Sequence, residues 1–299
     1  MISDKQKPRE ATPAEVVAAA LNEQGFLFQQ SVIEELAELK PHGSHPHNWM
    51  VEASEVPVSL PNEAETRIDI VLRNQASGEN PWYAVLECKR LMKEYKRWVF
   101  FSKTHRSRPS AGNYYIEHGD LQGSWNNQGE APMNHRLERR PAPEGHEAFD
   151  FYLEARLDWP GSGKTVSATN AIEDAFQQVT LGQAGLALRM RATNVSKFRL
   201  LPVVVTTAEL TGASYDATRI SLEHGRIDPN DLTLENRRWV AVNYRVNDVI
   251  CQHSRFTTSR SQEIGIDIAA RQVRTVFVVQ AVHIHEFLAW LWRKFECED

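Results

Sequence analysis

Apolar residues along this chain fall into short runs of two periods, and the runs mark its elements. Pro13 to Asn22 reads as a short helix, with Thr12 placed to cap it and Pro13 at its first helical position. Beyond Gly25 a second helix runs from about Phe28 to Leu39, where Pro41 and Gly43 stop it. On a helical wheel its apolar stripe is Phe28, Val32, Leu36 and Leu39. Trp49 to Leu60, Thr66 to Leu72 and Pro81 to Cys88 then read as extended. Gly78 lies in the turn between the last two runs, so an antiparallel pair is expected.

From Arg90 to about Gly145 the pattern decays, and Gly, Pro, Asn, His and Arg dominate. A long, mostly irregular insertion over about 90–147 is the expectation. Regularity returns with a strand over Phe149 to Trp159 and a helix from Thr169 to about Arg191. The buried face of that helix is Ile172, Ala175, Val179 and Leu186, and Gly182 and Gly185 permit close packing on a sheet. Phe198 to Thr207 reads as a buried strand. After Glu209 the texture is polar and turn-rich, until strands at Trp239 to Val249 and Val273 to Val282 and a closing helix from His285 to Phe295. This order predicts an α/β fold, a mixed sheet flanked by helices. Residues 13–207 form the expected core, and 208–299 an α+β extension. The extension either completes the sheet or serves dimerisation or target binding. No internal repeat is visible.

Composition narrows the class. With 299 residues, 41% apolar and 24% charged, the chain has material for a sizeable core. The net charge of −5 is not that of a basic nucleic-acid binder, so any such surface has to be local. Cys88, Cys251 and Cys297 are far apart and odd in number, which gives neither a zinc spacing nor a disulfide framework. A reducing, cytoplasmic setting fits. Met1 to Thr12 lacks the apolar core of a signal peptide. Val276 to Phe295 is interrupted by Gln280, His283, His285, Glu286, Arg293 and Lys294, so no membrane span is expected.

The chemistry lies in the two middle strands. Asp69 sits inside the apolar run Ile68-Asp69-Ile70-Val71-Leu72, where a carboxylate is costly unless compensated. Glu87 and Lys89 end the next run, and strand alternation puts both on one face. If the strands pair, Asp69 joins them. Two carboxylates on one face suit Mg²⁺ or Mn²⁺, and the backbone carbonyl of Cys88 is a candidate third oxygen. A metal held there lowers the pKa of a water and offsets charge on a phosphate, while Lys89 orients that water.

The run TRIDIVL followed by WYAVLECK resembles the PD-(D/E)XK, restriction-endonuclease-like nucleases over roughly Gln24 to Thr207. The family's two acids match Asp69 and Glu87 and its lysine matches Lys89, with Ile68 where the motif has proline. The resemblance implies a Mg²⁺-dependent DNA endonuclease that leaves 3′-hydroxyl and 5′-phosphate ends. It further implies a bacterial defence or restriction role, a homodimer, and room for a helicase or other defence-system partner. Many members add an acid from the first core helix. Glu35 lies beside the apolar stripe and Glu34 nearly opposite, so Glu35 is the candidate, against the alternative of a solvated surface acid. Several branches place a glutamine on the later helix. Gln178 flanks the buried face there, against the alternative of a plain exposed glutamine.

Arg90, Lys93, Lys96, Arg97, Lys103, Arg106 and Arg108, interleaved with Tyr95, Trp98, Phe100 and Phe101, offer a local positive surface for phosphates and bases. A solvated helix with buried aromatics is the competing explanation. Gly161-Ser162-Gly163-Lys164-Thr165 resembles the end of a phosphate loop, but Asp158 stands where the pattern needs glycine. His42, His45 and His47 lack further ligands nearby, and no nucleophile elbow is present. Two alternatives to a DNA endonuclease stay open: a non-catalytic nucleic-acid-binding or assembly subunit, and a nuclease for RNA or tRNA.

Overall fold

The computed structural model describes residues 11–23, 25–37, 48–60, 64–76, 80–91, 97–101, 112–120, 134–155, 170–193, 195, 197–221, 223–247, 250 and 272–295. Two helices open the chain, α1 (Pro13–Glu23) and α2 (Phe26–Ala37). The first is started by a reciprocal cap: Glu15 N donates to Thr12 Oγ1 at 3.3 Å and Thr12 N donates to Glu15 Oε2 at 2.7 Å. Only three residues of α2, Gln29, Val32 and Leu36, are buried.

A meander follows: β1 (Trp49–Ser59), β2 (Glu65–Asn74) and β3 (Trp82–Lys89). The antiparallel pairing expected of β2 and β3 is present, with Ile70 opposite Leu86 and Leu72 opposite Ala84. Helix α3 (Asn170–Ala192) then crosses to β8 (Lys197–Thr206), which lies parallel to β3 from Trp82↔Arg199 to Lys89↔Thr206. β12 (Val273–Gln280) continues the parallel set beside β8, and β11 (Trp239–Arg245) closes it antiparallel. The path is thus β1-β2-β3-β8-β12-β11, a mixed sheet. Its central strands are apolar on both faces because both faces are covered. α3 packs on one face, and α2 and the last helix α4 (Ile284–Phe295) pack on the other.

α3 presses close. A Cβ added to Gly185 would meet Val58 Cγ2 at 2.5 Å, and one on Gly182 would meet Ile68 Cγ1 at 3.0 Å. Ile172, Ala175, Val179 and Leu186 are buried as their spacing predicts.

The expected irregular insertion is corrected. It holds β4 (Arg97–Phe101), β5 (Asn113–Asp120) and β6 (Asn134–Pro141). β5 pairs with the first half of β8 and with β6, bringing the main sheet to eight strands. β4 belongs to a second, four-stranded sheet, ordered β10-β9-β4-β7. Its other members are β7 (Phe151–Ala155), β9 (Glu209–Tyr215) and β10 (Leu232–Arg237). These strands are short, and some are polar because they lie at edges, so their apolar period is brief. Trp98 and Phe100 alternate inward on β4 and are fully buried. The region after residue 208 is therefore shared between both sheets. Among the described residues no helix is long and apolar enough to cross a membrane.

Candidate active site

The site forms where β2 and β3 end their ladder. The ladder reaches Ile70↔Leu86, and one further step of the same register would set Asp69 opposite Glu87. Beyond that pair Asp69 bonds to β3 with its side chain, its Oδ2 accepting the Cys88 backbone N–H at 2.8 Å. A strand residue's N–H and C=O point to the same edge, so the Cys88 carbonyl faces β2 as well. Glu87 alternates with Val85 and so lies on the α3 face.

Electrostatics make this pair unusual. Glu87 is 9% exposed and has no hydrogen-bond or ion-pair partner among the described residues. Burial first, and then the neighbouring Asp69 charge, push its carboxyl up to about 8, with Lys89 and Arg67 pulling the other way. Burial also raises Asp69, opposed chiefly by the Cys88 amide. Two like charges thus share a poorly solvated place, and each resists ionisation while the other is charged. Lys89, half-buried at the end of β3, lowers both carboxyls and so lies within their field.

Two acids that sequence reasoning missed belong to the surroundings. Glu55 on β1 is flanked by the pairs Ser54↔Ile70 and Val56↔Ile68, which set it across from Asp69. Among the described residues it is the only non-glycine with positive φ, at 53°. Its Oε1 accepts from Gln29 Nε2, and its Oε2 pairs with Arg67 Nε at 2.7 Å. The same Gln29 amide reaches the Asp69 carbonyl at 3.2 Å, so buried Gln29 ties α2 to both strands. Glu154 on β7 is buried and accepts from Trp98 Nε1 at 2.9 Å. Burial raises its carboxyl and Lys89 lowers it, so the second sheet brings a third kind of acid into the field of Lys89. The available signal was a glutamine on the buried stripe of α2 and an acid inside an extended run; neither has a fixed spacing to the motif.

Other candidates fall elsewhere. Glu35 is exposed, and its Oε1 lies 3.0 Å from His285 Nε2 on α4. The stripe of α2 that faces the sheet passes through Gln29 instead, one turn before Val32 and Ile33. Gln178 is exposed, one helical turn before Gly182. Arg90 is exposed just past β3. Arg97 is spent on Glu209 at 2.9 Å, a bond between adjacent strands β4 and β9. Lys93, Lys96, Lys103, Arg106 and Arg108 lie outside the described residues, as do His42, His45, His47 and the Gly161 to Thr165 segment.

The donor set fits a divalent ion in chemistry: Asp69, Glu87 and the Cys88 carbonyl are hard oxygens, and Glu87 is a buried acid without a hydrogen-bond or ion-pair partner among the described residues. As they stand, no three His, Cys, Asp or Glu side chains among the described residues group closely enough to hold one. The third acid, Glu55, is turned to Arg67. No family model, curated protein or solved structure matches the chain.

Proposed function

We propose that this protein is a metal-dependent phosphodiesterase, a DNA endonuclease of restriction-endonuclease-like fold acting in defence or restriction. One observation carries the proposal: half-buried Asp69 and buried Glu87 lie together at the end of the β2–β3 ladder, with Lys89 acting on both. A structural pair of carboxylates would have been given an opposite charge or been lost, because burial without compensation is destabilising.

Asp69, Glu87 and the Cys88 carbonyl would hold Mg²⁺ or Mn²⁺. The ion, when bound, lowers the pKa of a water and neutralises charge that develops on the phosphate. The Cys88 amide fixes one oxygen of Asp69 and leaves the other free to ligate. Lys89 supplies a fixed ammonium beside the attacked phosphorus, where it holds the attacking water and stabilises the charge of the transition state. The apolar flanks, Ile68, Ile70, Val85 and Leu86, keep bulk water from screening these charges. A homodimer would present two such sites to the two strands of a duplex.

The test is cleavage of supercoiled, linear and single-stranded DNA and of RNA with Mg²⁺ or Mn²⁺. Asp69→Ala and Lys89→Ala should each lose at least about a hundredfold in rate. Cutting of RNA alone would move the substrate class. Equal cutting by wild type and both variants, or no metal binding by calorimetry, would leave a non-catalytic binding subunit as the better account.

A further inference from the structure

The geometry points to Glu55 as a third carboxylate of this site, held off by Arg67 until a divalent ion displaces the guanidinium. The inference rests on the metal reading above. It concerns two residues that no sequence motif marks.

Three observations combine. Glu55 stands across β1–β2 from Asp69, and its charge acts on Asp69, Glu87 and Cys88 alike. Its two oxygens are bound differently: Oε1 by the buried amide of Gln29, Oε2 by Arg67. Glu87, nine-tenths buried, has no partner of its own among the described residues. The protein therefore keeps an ion pair at the cluster's rim while the buried acid at its centre makes neither a hydrogen bond nor an ion pair among the described residues.

Arg67 suits a temporary role. It sits two residues before Asp69 on β2, diagonal to Glu55, and its side chain is 66% exposed. An ion pair this exposed adds little stability and exchanges readily. Gln29 would keep Oε1 in place while Oε2 turns to the ion, so exchange costs one contact and not two. The positive φ of Glu55 already bends β1 at this point. A divalent ion outcompetes a single guanidinium because it meets three acids at once.

Mn²⁺ titration by calorimetry tests this on the full chain, with wild type, Asp69→Asn, Glu55→Gln, Arg67→Ala and the double variant Glu55→Gln/Arg67→Ala. Glu55→Gln should weaken Mn²⁺ binding about tenfold or more. Arg67→Ala should tighten it about two- to fivefold, the effect of removing an exposed ion pair. The double variant should bind no tighter than Glu55→Gln, because Arg67 acts through Glu55. Unfolding midpoints in chelator identify any variant that fails to fold. Wild-type affinity in Glu55→Gln, with loss in Asp69→Asn, would overturn the inference and leave the metal site standing. Weaker binding in Arg67→Ala would overturn the latch. No binding by wild type would remove the metal reading itself.

Discussion

The main sheet buries charge in two places and treats it in opposite ways. Between β5 and β12, Glu117 and Arg274 have side chains 5% and 1% exposed and lie 3.7 Å apart as an ion pair. Between β2 and β3, Asp69 and Glu87 are two acids that form no ion pair among the described residues, with Lys89 and Arg67 acting on both from nearby. The first place is neutral and holds strands together. The second is under electrostatic strain, and the fold tolerates it because α3, β1 and β8 overdetermine the strands around it. Like charges kept together in a dry place are best explained by something that arrives to neutralise them.

The comparison breaks most sharply by mutation. Arg274→Ala should destabilise the protein by about 3–5 kcal/mol, since it removes one member of a buried ion pair. Glu87→Gln should do the reverse in chelator near neutral pH, stabilising by roughly 1–3 kcal/mol, because it removes a buried acid that must take up a proton to fold. Denaturant unfolding of both variants beside wild type gives the two signs. If Glu87→Gln destabilises as Arg274→Ala does, Glu87 is a structural acid and the contrast collapses.

pH sharpens the same contrast. The carboxyl of Glu87 is raised from 4.5 to about 8 in the folded protein, so the folded state holds its proton more tightly than the unfolded state. Its contribution to stability is complete below about 4.5 and is lost as pH rises towards 8. Metal-free wild type should lose stability over that window beyond what Glu87→Gln loses. Added Mg²⁺ should restore more at pH 8 than at pH 5, because ligation needs the carboxylate. A flat difference between the two proteins across the window would deny that Glu87 titrates there.

How far the sequence could be read follows from the length of each signal. β2, β3 and β8 are covered on both faces, so their apolar runs are continuous and legible, and strand alternation then set Glu87 and Lys89 on one side. Gly182 and Gly185 were legible for a related reason, since small residues inside a buried helical stripe have few other uses. β4, β5 and β6 were not. Arg97–Phe101 is five residues long and depends on partners more than forty residues away, and half of β6 is charged. The second sheet was hidden by the same cause, because β4 pairs with β9 across the whole of α3 and β8. Within the site, the motif gave the acids that share a hairpin. Glu55 depends on the register of β1, including a shift between Val51 and Ala53, which no local pattern encodes.

Glu35 gives the smallest expected effect and a useful one. Wheel geometry put it beside the apolar stripe of α2, and it is indeed beside that stripe, but turned to α4. Its pair with His285 links two helices on the face opposite α3, and Glu35 is 59% exposed there. An exposed pair of this kind contributes about 0–1 kcal/mol. Glu35→Ala should therefore leave Mn²⁺ affinity and cleavage at wild-type levels while Glu55→Gln lowers both. Any loss of stability should be under about 1 kcal/mol. A large loss of metal affinity in Glu35→Ala would mean that α2 presents a different face to the site in the metal-bound protein. The acid that completes the site would then come from the helix and not from β1.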